Sequence, residues 1–253
     1  MSASTAVSRH WADIGEAGFL GGMRLLFWIY RHLGASPFRL ALTLVMLWFF
    51  ATRRLARNAS REYLARLHAA SGGTTPAPTW RNVFRHFMAF GEVLLDKLRV
   101  SDPRQRFTPP WQAEGLEQVK QLLDARRGAL IITAHFGNLE ICRHLADQVD
   151  TRIALTILVH TRHAERFNRL LQKLNPTQET DLIQVDSLDA GIAMRISERI
   201  AAGGFVVIAG DRVPLSGQDT QTTPFIGAAA AFPVGPYLLA AALDCPVLTM
   251  FSA

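Results

Sequence analysis

His135 and Glu140 stand five positions apart in residues 133–140, where an apolar segment is followed by a helical pattern. Residues 129–132 are apolar and partly β-branched, which predicts a buried parallel strand with His135 at its carboxyl edge. Ligands of open α/β sheets collect at that edge. Gly137 permits a sharp turn, and Glu140 then falls in a first helical turn, where the helix dipole favours its ionised form. A carboxylate near one imidazole nitrogen leaves the other free to accept a proton, so the pair predicts a base that activates a hydroxyl.

The same two residues have a plainer interpretation. A histidine at a strand end and a glutamate at a helix start are each common, and either can be a cap or a satisfied polar group. The spacing of His135 and Glu140 is therefore a weak motif by itself, and other residues must support it.

A second apolar strand, residues 206–209, ends in a glycine followed by Asp211 and Arg212. An arginine at such an edge can hold a phosphate or a developing oxyanion. Further along, the small residues and prolines of 223–227 and 232–236 predict a rigid wall beside a groove. The alternative is an Asp–Arg surface pair followed by two turns.

The hydrophobic pattern predicts the helices and strands that position these residues. From residue 129 onward, strands alternate with helices, which predicts an α/β fold with a mostly parallel central sheet flanked by helices. The predicted strands are 129–133, 153–159, 182–185, 205–209 and 247–251. The predicted helices are 57–67, 80–98, 116–123, 139–146, 164–174, 188–201 with Ser187 as N-cap, and 237–243.

The N-terminal third is richer in long apolar runs than the rest of the chain. Residues 25–30 and 40–50 are strongly apolar, but each run is shorter than the about 20 residues that a transmembrane helix needs. They contain Trp28, Tyr30 and Trp48, residue types favoured at membrane interfaces. Five arginines follow the second run: Arg53, Arg54, Arg57, Arg61 and Arg66.

This pattern predicts a helical, monotopic membrane-associating region on the cytoplasmic face of the inner (plasma) membrane. The alternative is an ordinary buried helical hairpin. We predict two parts, an N-terminal membrane-associated region of residues 1–70 and an α/β domain of residues 71–253.

The charge balance is basic, with 27 Lys and Arg against 21 Asp and Glu in 253 residues. Nearly all of the positive charge is arginine, which suits phosphate. We find no zinc-finger spacing, RNP-type aromatic motif or recognition-helix pattern, so we predict no nucleic-acid partner. Binding to an anionic lipid surface would explain the basic charge. An arginine-rich genome would explain it equally well without any function. The two cysteines, Cys142 and Cys245, form no disulfide framework, which indicates a reducing compartment.

Three blocks in order carry a family resemblance: His-x4-Glu at one strand end, Gly-Asp-Arg at another, and Phe-x-Gly followed by Phe-Pro-x-Gly-Pro. With them the chain resembles the lysophospholipid acyltransferase superfamily, and more narrowly the bacterial late (lauroyl and myristoyl) acyltransferases of lipid A biosynthesis. The resemblance implies transfer of a fatty acyl group from a thioester, usually on acyl carrier protein, to a hydroxyl of a membrane lipid or glycolipid acceptor. It implies no covalent acyl-enzyme, and we predict no cofactor and no metal.

The resemblance also implies roles for individual residues. His135 would be the general base, and Glu140 would orient it and stabilise the imidazolium. Arg212 would bind an acceptor phosphate or carboxylate, and Asp211 would position Arg212. The remaining predicted substrate-binding residues are Gly137 and Asn138 at the turn, Phe225, Gly227, Pro233 and Gly235 along the groove, and Arg162 and Asn168 after another strand.

Two departures from the family pattern leave the acceptor open between lipid A and another glycolipid or a pigment lipid. Leu139 stands where the lipid A enzymes often have an aromatic residue. Residues 10–22 look more like acyltransferase relatives of pigment or glycolipid pathways. Family members usually continue beyond the strand at which this chain ends, so we expect a C-terminal truncation.

Two rival functions belong to other classes. Glu140 and His144 stand four apart and could join His135 around a zinc ion in a hydrolase, although the spacing is neither HExxH nor its inverse. A noncatalytic membrane-bound scaffold could keep the same fold. A serine hydrolase is disfavoured because the chain has no G-x-S-x-G motif.

Overall fold

The fold was analysed in a computed structural model of the 253-residue chain. The structure describes residues 20–101, 112–137, 142, 146, 149–159, 181–184, 190–213 and 220–251.

Seven helices and seven strands lie in the described ranges. The helices are α1 (Leu20–Leu33), α2 (Ala35–Thr52), α3 (Arg54–Ala70), α4 (Trp80–Ser101), α5 (Leu116–Asp124), α6 (Ala190–Ala201) and α7 (Gly235–Leu243). The strands are β1 (Ala129–Thr133), β2 (Leu155–Val159), β3 (Asp181–Gln184), β4 (Phe205–Ala209), β5 (Thr220–Phe225), β6 (Ala228–Pro233) and β7 (Val247–Met250).

Five of the strands form a parallel sheet in the order β3-β2-β4-β1-β7. The central pair is β1 and β4, in which Thr133 is the partner of Ala209. Their side chains are apolar at nearly every position and buried, as a strand covered on both faces requires. The predicted α/β fold with a mostly parallel sheet is confirmed.

Alternate residues of these strands face two different hydrophobic clusters. Leu130 and Val206 belong to one cluster, which also includes Ile196 of α6 and Leu239 of α7. Ala129, Ile131, Phe205 and Val207 belong to the other, which includes Leu123 of α5. Because side chains alternate along a strand, the two clusters are the two faces of the sheet.

The N-terminal helices have a core of their own. Leu26, Tyr30, Phe38, Leu42 and Met46, from α1 and α2, pack with Leu95 of α4.

Helix α2 is apolar on its outer side as well. It is the one described helix long and apolar enough to cross a membrane, with 18 residues, a mean hydropathy of 1.4 and 17% of the segment buried. The helix is longer than the apolar run identified in the sequence, because it extends beyond residues 40–50 at both ends. At 1.5 Å per residue it is about 27 Å long, close to the ~30 Å of a bilayer core.

The predicted elements agree with the structure at the central strands and differ elsewhere. The bounds of β1 and β4 are as predicted, and those of the other three parallel strands shift by one or two residues at their ends. The region predicted as a rigid wall, with two turns as the alternative, forms an antiparallel hairpin of β5 and β6. The predicted helix 164–174 and the predicted N-cap Ser187 lie outside the described residues, as does most of the predicted helix 139–146.

Candidate active site

The ends of two neighbouring parallel strands bring His135 and Asp211 together. His135 follows β1 by two residues, and Asp211 follows β4 by two residues. The backbone N–H of Gly210 donates to the carbonyl oxygen of Thr133 at 2.8 Å, which continues the pairing of the two strands beyond their last residues. Both side chains therefore emerge at the carboxyl edge of the sheet, where substrates of this fold class bind.

The carboxylate of Asp211 holds His135 at two points. Oδ1 lies 2.9 Å and Oδ2 3.2 Å from the ring Nδ1 of His135. Oδ2 also accepts the backbone N–H of His135 at 2.9 Å. The histidine side chain is 42% exposed, against 24% for the aspartate. The carboxylate is thus the more buried, anchoring group, and the ring is the more accessible one.

Opposing influences act on the pKa of Asp211. Burial, the largest single influence, raises it, whereas the hydrogen bonds from the His135 ring, the His135 backbone and the charge of the histidine lower it. Together they lower the pKa of Asp211 below its usual value. An ionised carboxylate only accepts hydrogen bonds, so Nδ1 of His135 is the donor, and in the neutral ring Nε2 is then the nitrogen with a free lone pair.

The turn after His135 depends on a glycine. Gly137 has φ +73°, in the left-handed region that residues with a Cβ rarely adopt. The chain therefore changes direction directly after the histidine, as the sequence predicts for this position.

Several predicted site residues lie outside the described residues. They are Glu140, Asn138, Arg162 and Asn168, together with His144 of the alternative metal site. The assignment of Glu140 as the partner of His135 thus stays a prediction.

The other predicted residues occupy two places. Arg212 is exposed next to Asp211 at the same strand end. Gly235 opens α7, whose Pro236 lies beside Gly210: a Cβ built at Gly210 would be 3.9 Å from the Pro236 ring. The start of α7 therefore stands next to the His135–Asp211 pair.

Phe225 and Gly227 lie at the turn of the hairpin, and Pro233 lies at its other end, paired with Thr220. Five steps along a strand separate these ends by about 17 Å. The exposed Phe225 ring nevertheless reaches the Phe232 ring edge-on, with centroids 5.5 Å apart. The aromatic pair thus connects the last residue of β5, at the turn, with the residue before the end of β6.

Sequence reasoning missed the contact between Asp211 and His135, because it assigned Asp211 to Arg212. The available signal was that both residues follow buried strands by two positions. The neighbour relation of β1 and β4, which have two other strands between them along the chain, could not be seen in the sequence.

No group of three or more His, Cys, Asp or Glu side chains suited to a metal ion is found within the described ranges. Glu140 and His144 of the alternative zinc site are not among them, so that alternative stays untested.

Comparison with known proteins identifies the family. A family model described as bacterial lipid A biosynthesis acyltransferase matches residues 77–253, which is well over half of the chain. A comparison with curated proteins finds no match. The matched range includes the whole parallel sheet, His135, Asp211 and the hairpin. The chain therefore belongs to the bacterial lipid A biosynthesis acyltransferases, a family of enzymes that transfer an acyl group from a donor to a lipid acceptor.

Proposed function

We propose that this protein transfers a fatty acyl group from an acyl thioester, carried by acyl carrier protein, to a hydroxyl of a lipid A-like membrane lipid or glycolipid, with His135 as general base. The observation that carries the proposal is the contact of His135 Nδ1 with Asp211 at the carboxyl edge of the parallel sheet. In the neutral ring this contact places the proton on Nδ1, so Nε2 is the nitrogen that can accept a proton from an alcohol.

The proposed reaction needs one proton carrier. Nε2 of His135 takes the proton of the acceptor hydroxyl as its oxygen attacks the thioester carbonyl carbon. The carbon–sulfur bond then breaks, and the departing thiolate takes the proton back from the imidazolium. An ester and a free thiol result, with no acyl group on the enzyme.

Two carboxylates are proposed to serve this histidine. Asp211 fixes the ring through Nδ1 and the backbone N–H. Glu140 keeps the role implied by the family resemblance, orienting His135 and stabilising the imidazolium as it forms. Replacing each carboxylate in turn by its amide decides how the two roles divide.

Substrate binding is proposed at the residues predicted from the sequence. Arg212, exposed directly after Asp211 in the chain, would bind an acceptor phosphate or carboxylate. The other residues proposed to contact or shape the bound substrates are Gly137, Asn138, Arg162, Asn168, Phe225, Gly227, Pro233 and Gly235.

Membrane attachment is proposed through α2, on the cytoplasmic face of the inner membrane. Leu40, Leu44 and Trp48 are 68%, 62% and 56% exposed and lie on the side of the helix opposite Phe38 and Leu42. Burying large apolar side chains in lipid removes them from water and favours attachment. Residues 1–70 would form the membrane-associated region, and residues 71–253 the transfer domain.

The proposal is tested by replacing His135 with Ala and measuring acyl transfer from acyl carrier protein to a lipid A-type acceptor. Losing a positioned general base reduces turnover on the order of 10²- to 10⁴-fold. His32→Ala, an exposed histidine on α1, is the matched control and should leave turnover unchanged. Near-normal turnover of His135→Ala would end the assignment of His135 as the base, whereas no acyl transfer by the wild type would favour the noncatalytic scaffold.

The acceptor is identified by mass spectrometry of lipids from cells with and without the active gene. One acceptor differing by a single acyl mass would name both the acyl chain and the acceptor. A profile that is unchanged between wild type and His135→Ala contradicts acyl transfer in the cell.

A further inference from the structure

Arginines stack on aromatic rings where α2 ends and α3 begins. The guanidinium carbons lie over the rings as follows: Arg53 over Phe49 at 5.7 Å, Arg57 over Phe50 at 5.5 Å and Arg61 over Trp80 at 5.0 Å. Arg54 is exposed next to Arg53. We name these four arginines and three aromatic residues the arginine–aromatic surface.

The positive charges of this surface are uncompensated within the described part of the chain. None of the four arginines forms an ion pair there, and the nearby Glu62 is bound by Arg66 at 2.7 Å. Like charges this close repel one another unless an anion lies between them. The surface therefore favours a negatively charged partner.

One of the four arginines has a structural role at the end of α2. Arg57 donates to the carbonyl oxygens of Phe50 and Ala51, at 3.0 Å for Ala51, and so satisfies the last carbonyls of α2. Arg53, Arg54 and Arg61 have exposed side chains and are the three free to meet a ligand.

The arginine–aromatic surface is continuous with exposed apolar side chains. Leu47 and Trp48 of α2 and Leu55 of α3 are 47%, 56% and 66% exposed, immediately before and within the arginine-bearing segment. Apolar side chains next to aromatic rings and cations match the layering of a bilayer, in which acyl chains lie below phosphate groups.

We propose that the arginine–aromatic surface binds the phosphate groups of anionic phospholipids in a bilayer and so fixes how deep α2 sits. The proposal builds on the membrane attachment through α2 proposed above. Guanidinium groups suit it because they pair with phosphate through two parallel N–H donors while the ring beneath holds the cation.

The test uses the full chain and two kinds of vesicle, phosphatidylcholine alone and phosphatidylcholine mixed with phosphatidylglycerol. The variant Arg53→Gln/Arg54→Gln/Arg61→Gln leaves Arg57 in place to cap α2. The control Arg126→Gln/Arg127→Gln/Arg195→Gln removes the same charge from exposed positions of the α/β part. Flotation measures the bound fraction at low and at high salt.

Wild-type protein should bind the mixed vesicles more tightly than pure phosphatidylcholine, and salt should remove the difference. Each arginine near an anionic surface raises the binding constant about fivefold. The variant, which lacks three, should therefore bind the mixed vesicles on the order of 100-fold more weakly at low salt. The control should lose far less. Full retention by the variant, or an equal loss in the control, overturns the proposal.

The same measurements refute the apolar attachment through α2 and the phosphate binding by the arginine–aromatic surface independently of each other. If the wild type does not bind phosphatidylcholine alone, the apolar attachment is wrong. The arginine–aromatic surface still stands in that case if the dependence on phosphatidylglycerol is lost in the variant and kept in the control.

Discussion

One carboxylate fixes both the backbone and the ring of His135. Asp211 accepts the backbone N–H and the Nδ1–H of the same residue, so the imidazole cannot rotate without losing a hydrogen bond. If His135 is the base, as proposed, a ring held in this way requires little reorganisation when the substrate arrives. The proposed base would then depend on a positioning residue that follows a different strand.

Replacing Asp211 with Asn should lower kcat on the order of 10²- to 10⁴-fold with little change in KM. An amide can donate to Nδ1 and so stabilise the wrong tautomer, with the proton on Nε2. Steady-state kinetics with varied acceptor concentration measures kcat and KM separately and checks this split.

Two further variants make the Asp211 result decisive. Asp124→Asn changes an exposed carboxylate paired with Arg152 and should leave kcat unchanged. Glu140→Gln should also reduce turnover severely if Glu140 stabilises the imidazolium. Unchanged kinetics in Asp211→Asn, with loss only in Glu140→Gln, would leave Asp211 a purely structural residue.

The lowered pKa of Asp211 predicts how stability depends on acid. Above the unfolded pKa of about 3.9, the carboxyl is ionised in both states and its contribution is complete. As pH falls, the unfolded chain takes up the proton first, so this contribution declines and is lost through the lower, folded-state pKa. Asp211→Asn should therefore lose less stability than wild type from about pH 5 downward, measured by chemical unfolding at each pH. If the free energy of unfolding falls with pH equally in the two proteins, Asp211 does not contribute to the acid dependence of stability.

At the scale of elements, the hairpin of β5 and β6 carries backbone strain. Its two turn residues, Ile226 and Gly227, have φ of +48° and +73°. Positive φ at both central positions suits Asn-Gly, whereas a β-branched residue in this region is disfavoured by roughly 1–2 kcal/mol. The strain falls within a segment that the resemblance gives to substrate binding, and strain of this kind concentrates at functional sites.

Ile226→Asn should raise the free energy of unfolding by about 1 kcal/mol, because Asn adopts the left-handed region more readily. Ile226→Ala removes the same side chain without relieving the backbone, and should give no increase. Denaturant unfolding of the two variants separates the effects. An Asn variant no more stable than the Ala variant would show that the turn is not strained.

The sequence predicted the bounds of the two strands whose burial is nearly uniform. β1 and β4 are short apolar runs buried along their length, and they were predicted with correct bounds. The hairpin was missed because β5 is exposed throughout and contains a proline, and β6 is largely alanine, so neither shows a strand pattern. The contact of Asp211 with His135 was missed because it depends on strand order, which hydrophobic periodicity does not encode.

At the scale of the whole molecule, apolar side chains serve two different purposes. Those of the sheet are buried on both faces, whereas α2 buries one side in its own small core and exposes leucines and a tryptophan on the other. A soluble protein rarely exposes such a contiguous apolar patch. The distribution agrees with an enzyme that works on lipid at a membrane surface.

Membrane attachment should combine apolar and electrostatic contributions, so high salt should release the protein only partly from isolated membranes. Leu40→Ser removes an exposed side chain of α2 whose burial contributes about 1.5–3 kcal/mol, and should shift the protein toward the salt-released fraction. Met194→Ser is the control, because Met194 of α6 is 64% exposed and Leu40 is 68% exposed. Sedimentation of membranes after high-salt and carbonate washes measures release. Complete release of the wild type by salt alone would argue against apolar attachment, and equal release of the two variants would show that α2 is not the attaching helix.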